Sequence, residues 1–182
     1  MVRVSSFYTT SLRRQAVGLD DVDLQLLTAL QEDADRTNVE LARLSGLSPA
    51  ATLRRVARLK DTGVVAQVAA RVDPQLAGFP LRVYVQLTLG RHTEAAEARL
   101  EQTVRGLPQV VHAAWVAGET DVLCDVVARD LDDLQSVLVA LSSRGGAQRV
   151  VTMLRLRDLK PPSPLPLDPA ATPRRARRAR RA

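Results

Sequence analysis

The chain has 182 residues, 46% hydrophobic and 25% charged, enough for two small domains or one of medium size. Cys124 is its one cysteine, which excludes an internal disulfide and a cysteine-based zinc cluster and suits a reducing compartment; no apolar run reaches the length of a membrane span. The net charge of +6 is carried wholly by the six arginines of the ending PRRARRARRA, residues 1–172 being formally neutral, so the case for an anionic partner must rest on local placement as well as on the total.

In chain order, residues 1–18 carry cations without the continuous apolar run of a secretory signal and read as a disordered arm of a cytoplasmic protein. DDVDLQLLTALQED spaces Val22, Leu26, Leu27 and Leu30 as a helix does, with acids in its first turn where the helix dipole favours them. Thr37 caps a second helix, with Glu40 placed for a capping box, Leu41 and Leu44 as its apolar face and Gly46 closing it. Ser48 caps a third, with Pro49 in its first position and Gly63 ending it. Two short helices joined by SGLS make a helix-turn-helix candidate. VVAQVAARVD then reads as a strand linker, and DPQLAGFP as turn material.

Beyond residue 80 the period changes. In LRVYVQLTL the residues Leu81, Val83, Val85, Leu87 and Leu89 alternate with Arg82, Tyr84, Gln86 and Thr88, a half-buried strand. A helix follows through Ala96, Leu100, Val104 and Leu107, then two strands, VVHAAWVA and DVLCDVVA, either side of the turn GET. LDDLQSVLVAL forms a second amphipathic helix through Leu131, Leu134, Leu138 and Leu141, and QRVVTMLRL a last strand. The order βαββαβ is that of the ferredoxin-like arrangement, with one sheet face left for a partner subunit. The fold expected is therefore α+β: an arm over 1–18, a helix-turn-helix domain over 19–63, a strand linker over 64–80, a ferredoxin-like oligomerisation domain over 81–160, to which the resemblance described below adds ligand sensing, and a Pro- and Arg-rich disordered tail over 161–182.

The segment from Leu41 to Gly63 holds five basic side chains and meets no acid after Leu41 until Asp61. Steps of about 100° along the third helix put Leu53, Val56 and Leu59 on one arc and Ala51, Arg54, Arg55 and Arg58 on the opposite face. A small residue among arginines fits the major groove, where arginine donates two bonds to guanine or pairs with phosphate. With Ser48 and Thr52 at the start of the helix, these residues form the candidate DNA surface, against the plainer reading of a solvated helix face.

The run LDDVDLQLLTALQEDADRTNVELARLSGLSPAATLRRVARLKDTGVV, followed by a βαββαβ domain containing GETD, resembles the Lrp/AsnC (leucine-responsive, feast/famine) family of prokaryotic transcription regulators over about residues 19–160. The resemblance implies a winged or plain helix-turn-helix, a strand linker and an effector domain. It also implies dimers built through their sheets and commonly rings of dimers, an octamer among them, binding double-stranded DNA and answering to amino acids or related metabolites. The family's Gly-x-x-Asp element is matched by Gly118 and Asp121. Gly118 would let a ligand approach, the amides of Glu119 and Thr120 would hold a carboxylate, and Asp121 would take an ammonium group, although such a hairpin can equally be only a turn. The chain departs from the family pattern at Gly145 and Gly146, where a more apolar approach to the last strand is expected.

Chemistry elsewhere is sparse. His92 and His112 stand in different elements without a metal-spaced partner, Cys124 reads as a small core residue, and Trp115 as packing at a core or dimer seam. Asp23, Glu32 and Asp33 read as solvated charge on the first helix, and no phosphate loop or activated nucleophile is present. The expectation is a non-enzymatic, sequence-specific regulator with no cofactor beyond a possible amino-acid effector, cytoplasmic and nucleoid-associated. Arg174, Arg175, Arg177, Arg178, Arg180 and Arg181 would add sequence-independent affinity for DNA. The rivals are an architectural nucleoid-type binder without effector, and an enzyme like the sirohaem decarboxylases that share this family's fold.

Overall fold

The computed structural model describes residues 17–167. They fall into two compact units, one of residues 17–70 with 160–167, the other of residues 71–159.

The first unit holds three helices: α1, Asp21–Glu32; α2, Asn38–Ser45; and α3, Pro49–Asp61. Each starts where a side-chain oxygen takes up an orphan N–H. Asp20 accepts from Asp23 N, Thr37 from Glu40 N and Ser48 from Ala51 N, and α1 and α2 have complete capping boxes. Gly46 ends α2 at φ 65°, a left-handed conformation that glycine adopts without a Cβ penalty and that lets the chain turn at once into α3. Leu19, Leu24, Leu26, Leu27, Leu41, Val56 and Leu59 form the core. No hairpin wing follows α3 among the described residues.

The expected strand over 64–80 is absent. Val65 N–H instead bonds back to Leu59 O at 2.9 Å, and Val64 and Val65 pack on the helical core; no neighbouring strand is there to pair with this segment. DPQLAGFP is a turn, as expected, with Asp73 Oδ1 accepting from Gln75 N at 2.8 Å and Phe79 N bonding to Pro74 O at 2.8 Å. The tail also departs from a free linker: up to Leu167 it has no helix or strand, yet Leu167 packs against the helical core. The arm up to residue 16 and the six tail arginines lie outside the described residues.

The second unit runs β1 (Leu81–Leu89), α4 (Glu94–Arg105), β2 (Val110–Trp115), β3 (Val122–Ala128), α5 (Leu131–Ser143) and β4 (Ala147–Leu154). The strands form an antiparallel sheet in the order β2-β3-β1-β4, the ferredoxin-like order. Val83, Val85, Leu87 and Leu89 of β1 and Val122, Cys124 and Val126 of β3 are buried on one face against Leu100 of α4 and Val137 and Leu141 of α5. On the other face the Arg82 guanidinium clamps Asp125, with Nε 2.9 Å from Oδ1, beside the half-buried Tyr84 and Gln86. Leu131, expected on the apolar stripe, is 73% exposed at the first position of α5; the stripe runs through Asp133, Val137, Ala140 and Leu141. The unexpected glycine pair has a steric cause. A Cβ on Gly145 would lie 2.4 Å from Leu141 O and 3.0 Å from Leu100 Cδ1, and Gly146 has φ 73°.

Candidate nucleic-acid interface and effector turn

The third helix is oriented differently from the sequence expectation. Its buried side is Thr52, Val56 and Leu59, whereas Leu53 is 54% exposed. Thr52 can be buried because its hydroxyl donates to Ser48 O at 3.1 Å, leaving its methyl group to pack. Thr52 is therefore turned away from the exposed side of the helix, and the Ser48 hydroxyl oxygen accepts the Ala51 N–H as the cap. The outward side carries Ala50, Leu53, Arg54, Ala57 and Lys60, all exposed.

Arg55 and Arg58 are not free cations. Arg55 Nη1 donates to Asp20 Oδ2 at 2.7 Å and to Asp23 Oδ1 at 2.9 Å, while Arg58 Nη2 lies 2.6 Å from Asp23 Oδ2. Asp23 has no exposed surface, so reading it as a solvated charge was wrong: it is the ionic hub that ties α1 to α3. Burial pushes its carboxyl pKa up, but Arg58, the Asp20 N–H and Arg55 together outweigh that and hold it below the usual carboxylate value. Arg55 is raised above the ordinary guanidinium value, chiefly by its bond to Asp20. Both arginines remain about a third exposed, at 31% and 30%, and with Ala51 and Arg54 they line a shallow open depression. Arg54 is thus the one predicted guanidinium on the outward side with no acidic partner among the described residues, while Arg55 and Arg58 face solvent with their positive charge largely neutralised.

In the second unit, the predicted effector residues stand at the β2–β3 turn. Gly118 has φ 153° and open space where a Cβ would lie, and Glu119 is exposed. Thr120 Oγ1 donates to Leu87 O at 3.1 Å, and Asp121 N to the same oxygen at 3.0 Å. Asp121 Oδ2 accepts the Leu89 N–H at 2.7 Å, so half of this carboxylate is used to tie the turn to β1. The other oxygen, Oδ1, lies 3.5 Å from His92 Nε2, and His92 Nδ1 lies 3.9 Å from Glu97 Oε1. Sequence reasoning left His92 without a partner because 29 positions separate it from Asp121.

A separate concavity of about 360 Å³ between α4 and β2, lined by Leu100, Glu101, Val104, Trp115 and Val122, was not expected from sequence. On its polar side Trp115 Nε1 donates to Glu101 Oε1 at 3.1 Å, and Arg105 bonds Glu101 Oε2 at 3.1 Å. Cys124 is fully buried and its thiol is pushed up to about 11 by burial, which suits a core residue rather than a redox sensor. Among the described residues no group of His, Cys, Asp and Glu could hold a metal ion, and no helix is long and apolar enough to cross a membrane.

Comparison with known proteins matches residues 19–60 to the AsnC-type helix-turn-helix domain and residues 82–165 to the Lrp/AsnC ligand binding domain. The chain belongs to the Lrp/AsnC family. It is 33% identical to the leucine-responsive regulatory protein of Rhizobium meliloti over 79% of this chain and 93% of that one. It is 31% identical to the transcriptional regulator AldR of Mycolicibacterium smegmatis, over 81% and 88%. Among solved structures, the Neisseria meningitidis transcriptional regulator NMB0573 in complex with L-Met superposes with a TM-score of 0.77 at 33% identity, covering 82% of this chain and 97% of that one. This Lrp/AsnC chain is accordingly a helix-turn-helix transcriptional regulator that carries a ligand-binding domain.

Proposed function

We propose that the protein reads DNA through the outward side of α3, with Arg54 as its base- or phosphate-directed cation and Leu53 and Ala57 as its apolar contacts, and that Arg55 and Arg58 set the pose of that helix. The observation that carries this reading is the division of labour among the three arginines: two are ion-paired with Asp20 and Asp23, and one faces outward. An exposed leucine beside an arginine suits a major-groove surface, where thymine offers a methyl group and guanine two acceptors. Paired subunits, joined through the Tyr84 and Gln86 face of the sheet, would set two such helices one helical turn or a multiple apart on the duplex. The test is a fluorescence-polarisation titration of the full chain on genomic fragments that it selects. Arg54→Ala should weaken binding to the selected site about tenfold or more, as expected for one lost arginine contact worth about 1–3 kcal/mol. Unchanged affinity would remove α3 as the reader.

For the effector, the reading is an amino acid or related small metabolite at the β2–β3 turn. Its ammonium group would engage Asp121 Oδ1, the oxygen not bonded to Leu89, and its carboxylate the amides of Glu119 and Thr120. The L-Met held by the Neisseria relative supports this ligand class. Ligand occupancy would change the spacing of the reading helices by favouring one arrangement of the assembly. Calorimetry against a panel of amino acids should show binding that Asp121→Asn abolishes. That substitution keeps an acceptor for the Leu89 N–H while removing the charge. Heat unchanged by Asp121→Asn would move the ligand elsewhere, with the concavity beside Trp115 next in line.

A further inference from the structure

His92 stands between two carboxylates that the chain brings together from different elements. Asp121, in the β2–β3 turn, holds the Leu89 N–H at the end of β1, and three residues further on His92 precedes Thr93, the cap of α4. Glu97 lies in the first turn of α4, where the helix dipole favours its charged form. The ring has one nitrogen toward each acid, with Nε2 3.5 Å from Asp121 Oδ1 and Nδ1 3.9 Å from Glu97 Oε1. Among the described residues, neither Asp121 Oδ1 nor the Glu97 side chain accepts a hydrogen bond, so the imidazole is the one basic group placed beside each. The acids are about a fifth exposed, at 19% and 20%, whereas the ring is 59% exposed and is the member free to move.

We infer that His92 sets the charge class of the effector. By staying on Glu97 it leaves Asp121 as the single carboxylate open to a ligand, so the site takes amino acids with one ammonium group and an uncharged side chain and turns away basic ones. This rests on the β2–β3 turn being the effector site. An ammonium group arriving at Asp121 Oδ1 replaces the ring there, and the like charge keeps a protonated imidazole from sharing that oxygen. A second ammonium group, as in lysine, reaches Glu97 only by displacing the ring from its remaining partner. Left without Glu97, it gives up water and gains no counter-charge. Removing His92 opens both carboxylates at once, which suits a ligand with two cationic groups.

The test is calorimetry of four full-length proteins against L-methionine, L-leucine, L-lysine and L-arginine: the parent, His92→Ala, His92→Ala combined with Glu97→Gln, and Asp121→Asn. His92 is exposed, so its removal spares the core, and a thermal midpoint equal to the parent's checks this. The parent should favour methionine or leucine over the basic pair. His92→Ala should tighten lysine or arginine about fivefold, near the upper end for an ion pair that keeps some exposure, and Glu97→Gln should cancel that gain. Asp121→Asn should bind none of the four. A parent that favours the basic ligands, or a His92→Ala ranking equal to the parent's, would overturn the inference while leaving the turn as the effector site. A gain that survives Glu97→Gln would overturn it too, since space alone would then explain the change. A parent silent toward all four counts against the reading of the turn; Glu97-dependent lysine binding by His92→Ala would still uphold the charge assignment, and silence there as well would end it.

Discussion

Asp23 decides how much of α3 is left for DNA. Its two oxygens lie on Arg55 and Arg58, and it also completes the capping box with Asp20. Removing it strands Arg58 and leaves Arg55 with Asp20 alone; both guanidinium groups are about a third exposed, at 31% and 30%, so the loss is below that of a wholly buried pair. Asp23→Ala should destabilise the helical unit by about 2–4 kcal/mol, seen as a lower urea midpoint, whereas Arg54→Ala should leave that midpoint within about 0.5 kcal/mol. Because the Asp23 pKa is lowered in the folded chain, its contribution is present above the ordinary carboxylate value of 3.8 and is lost as pH falls below it. The alternative of three equivalent solvated arginines predicts that Asp23→Ala changes little. A helix wheel alone could not separate these cases. It counts Leu53 as core and Thr52 as surface, and the reverse holds because the Thr52 hydroxyl bonds to Ser48 O and lets the residue sink inward.

At the level of the elements, alternation in β1 was legible because every second residue faces one packed layer, and so were the helix starts, where a capping side chain has a fixed offset from the amide it serves. A second signal was available and missed. Asp20 with Asp23, and Asp130 with Asp133, are both caps followed three residues later by a buried carboxylate that accepts arginine. Arg129, through its side chain and its N–H, together with Gln109, pulls the Asp133 carboxyl down to about 2. Its stabilising effect is therefore complete above 3.8 and is lost as pH falls toward about 2. An acid titration of the unfolding midpoint should slope less steeply over that window for Asp133→Asn than for the parent. Glycine steric demands were not legible, since they depend on what packs opposite. Gly145→Ala drives a methyl group into Leu141 O and should cost about 1–3 kcal/mol in thermal or urea unfolding, and full retention of stability would show that the α5–β4 turn can shift.

At the scale of the whole molecule, the change of hydrophobic period showed that one chain joins two modules, and the family resemblance named them as DNA-binding and ligand-binding. The linker over 64–80, expected as a strand, forms none; its first residues fold onto the helical core, which offers valines a burial site without a pairing edge. The hydrogen bond from Leu165 N–H to Gln31 Oε1 was equally hidden, 134 positions apart in sequence.

The measurement that bears most directly on the account is competition between a genome-selected fragment and random duplex for the full chain, run for the parent, Arg54→Ala and Arg55→Ala with the urea midpoint of each. Arg54→Ala should lose preference for the selected fragment at unchanged stability, and Arg55→Ala should lower the midpoint. Full preference retained by a stable Arg54→Ala protein would contradict the assignment of the outward side of α3 as the reading surface.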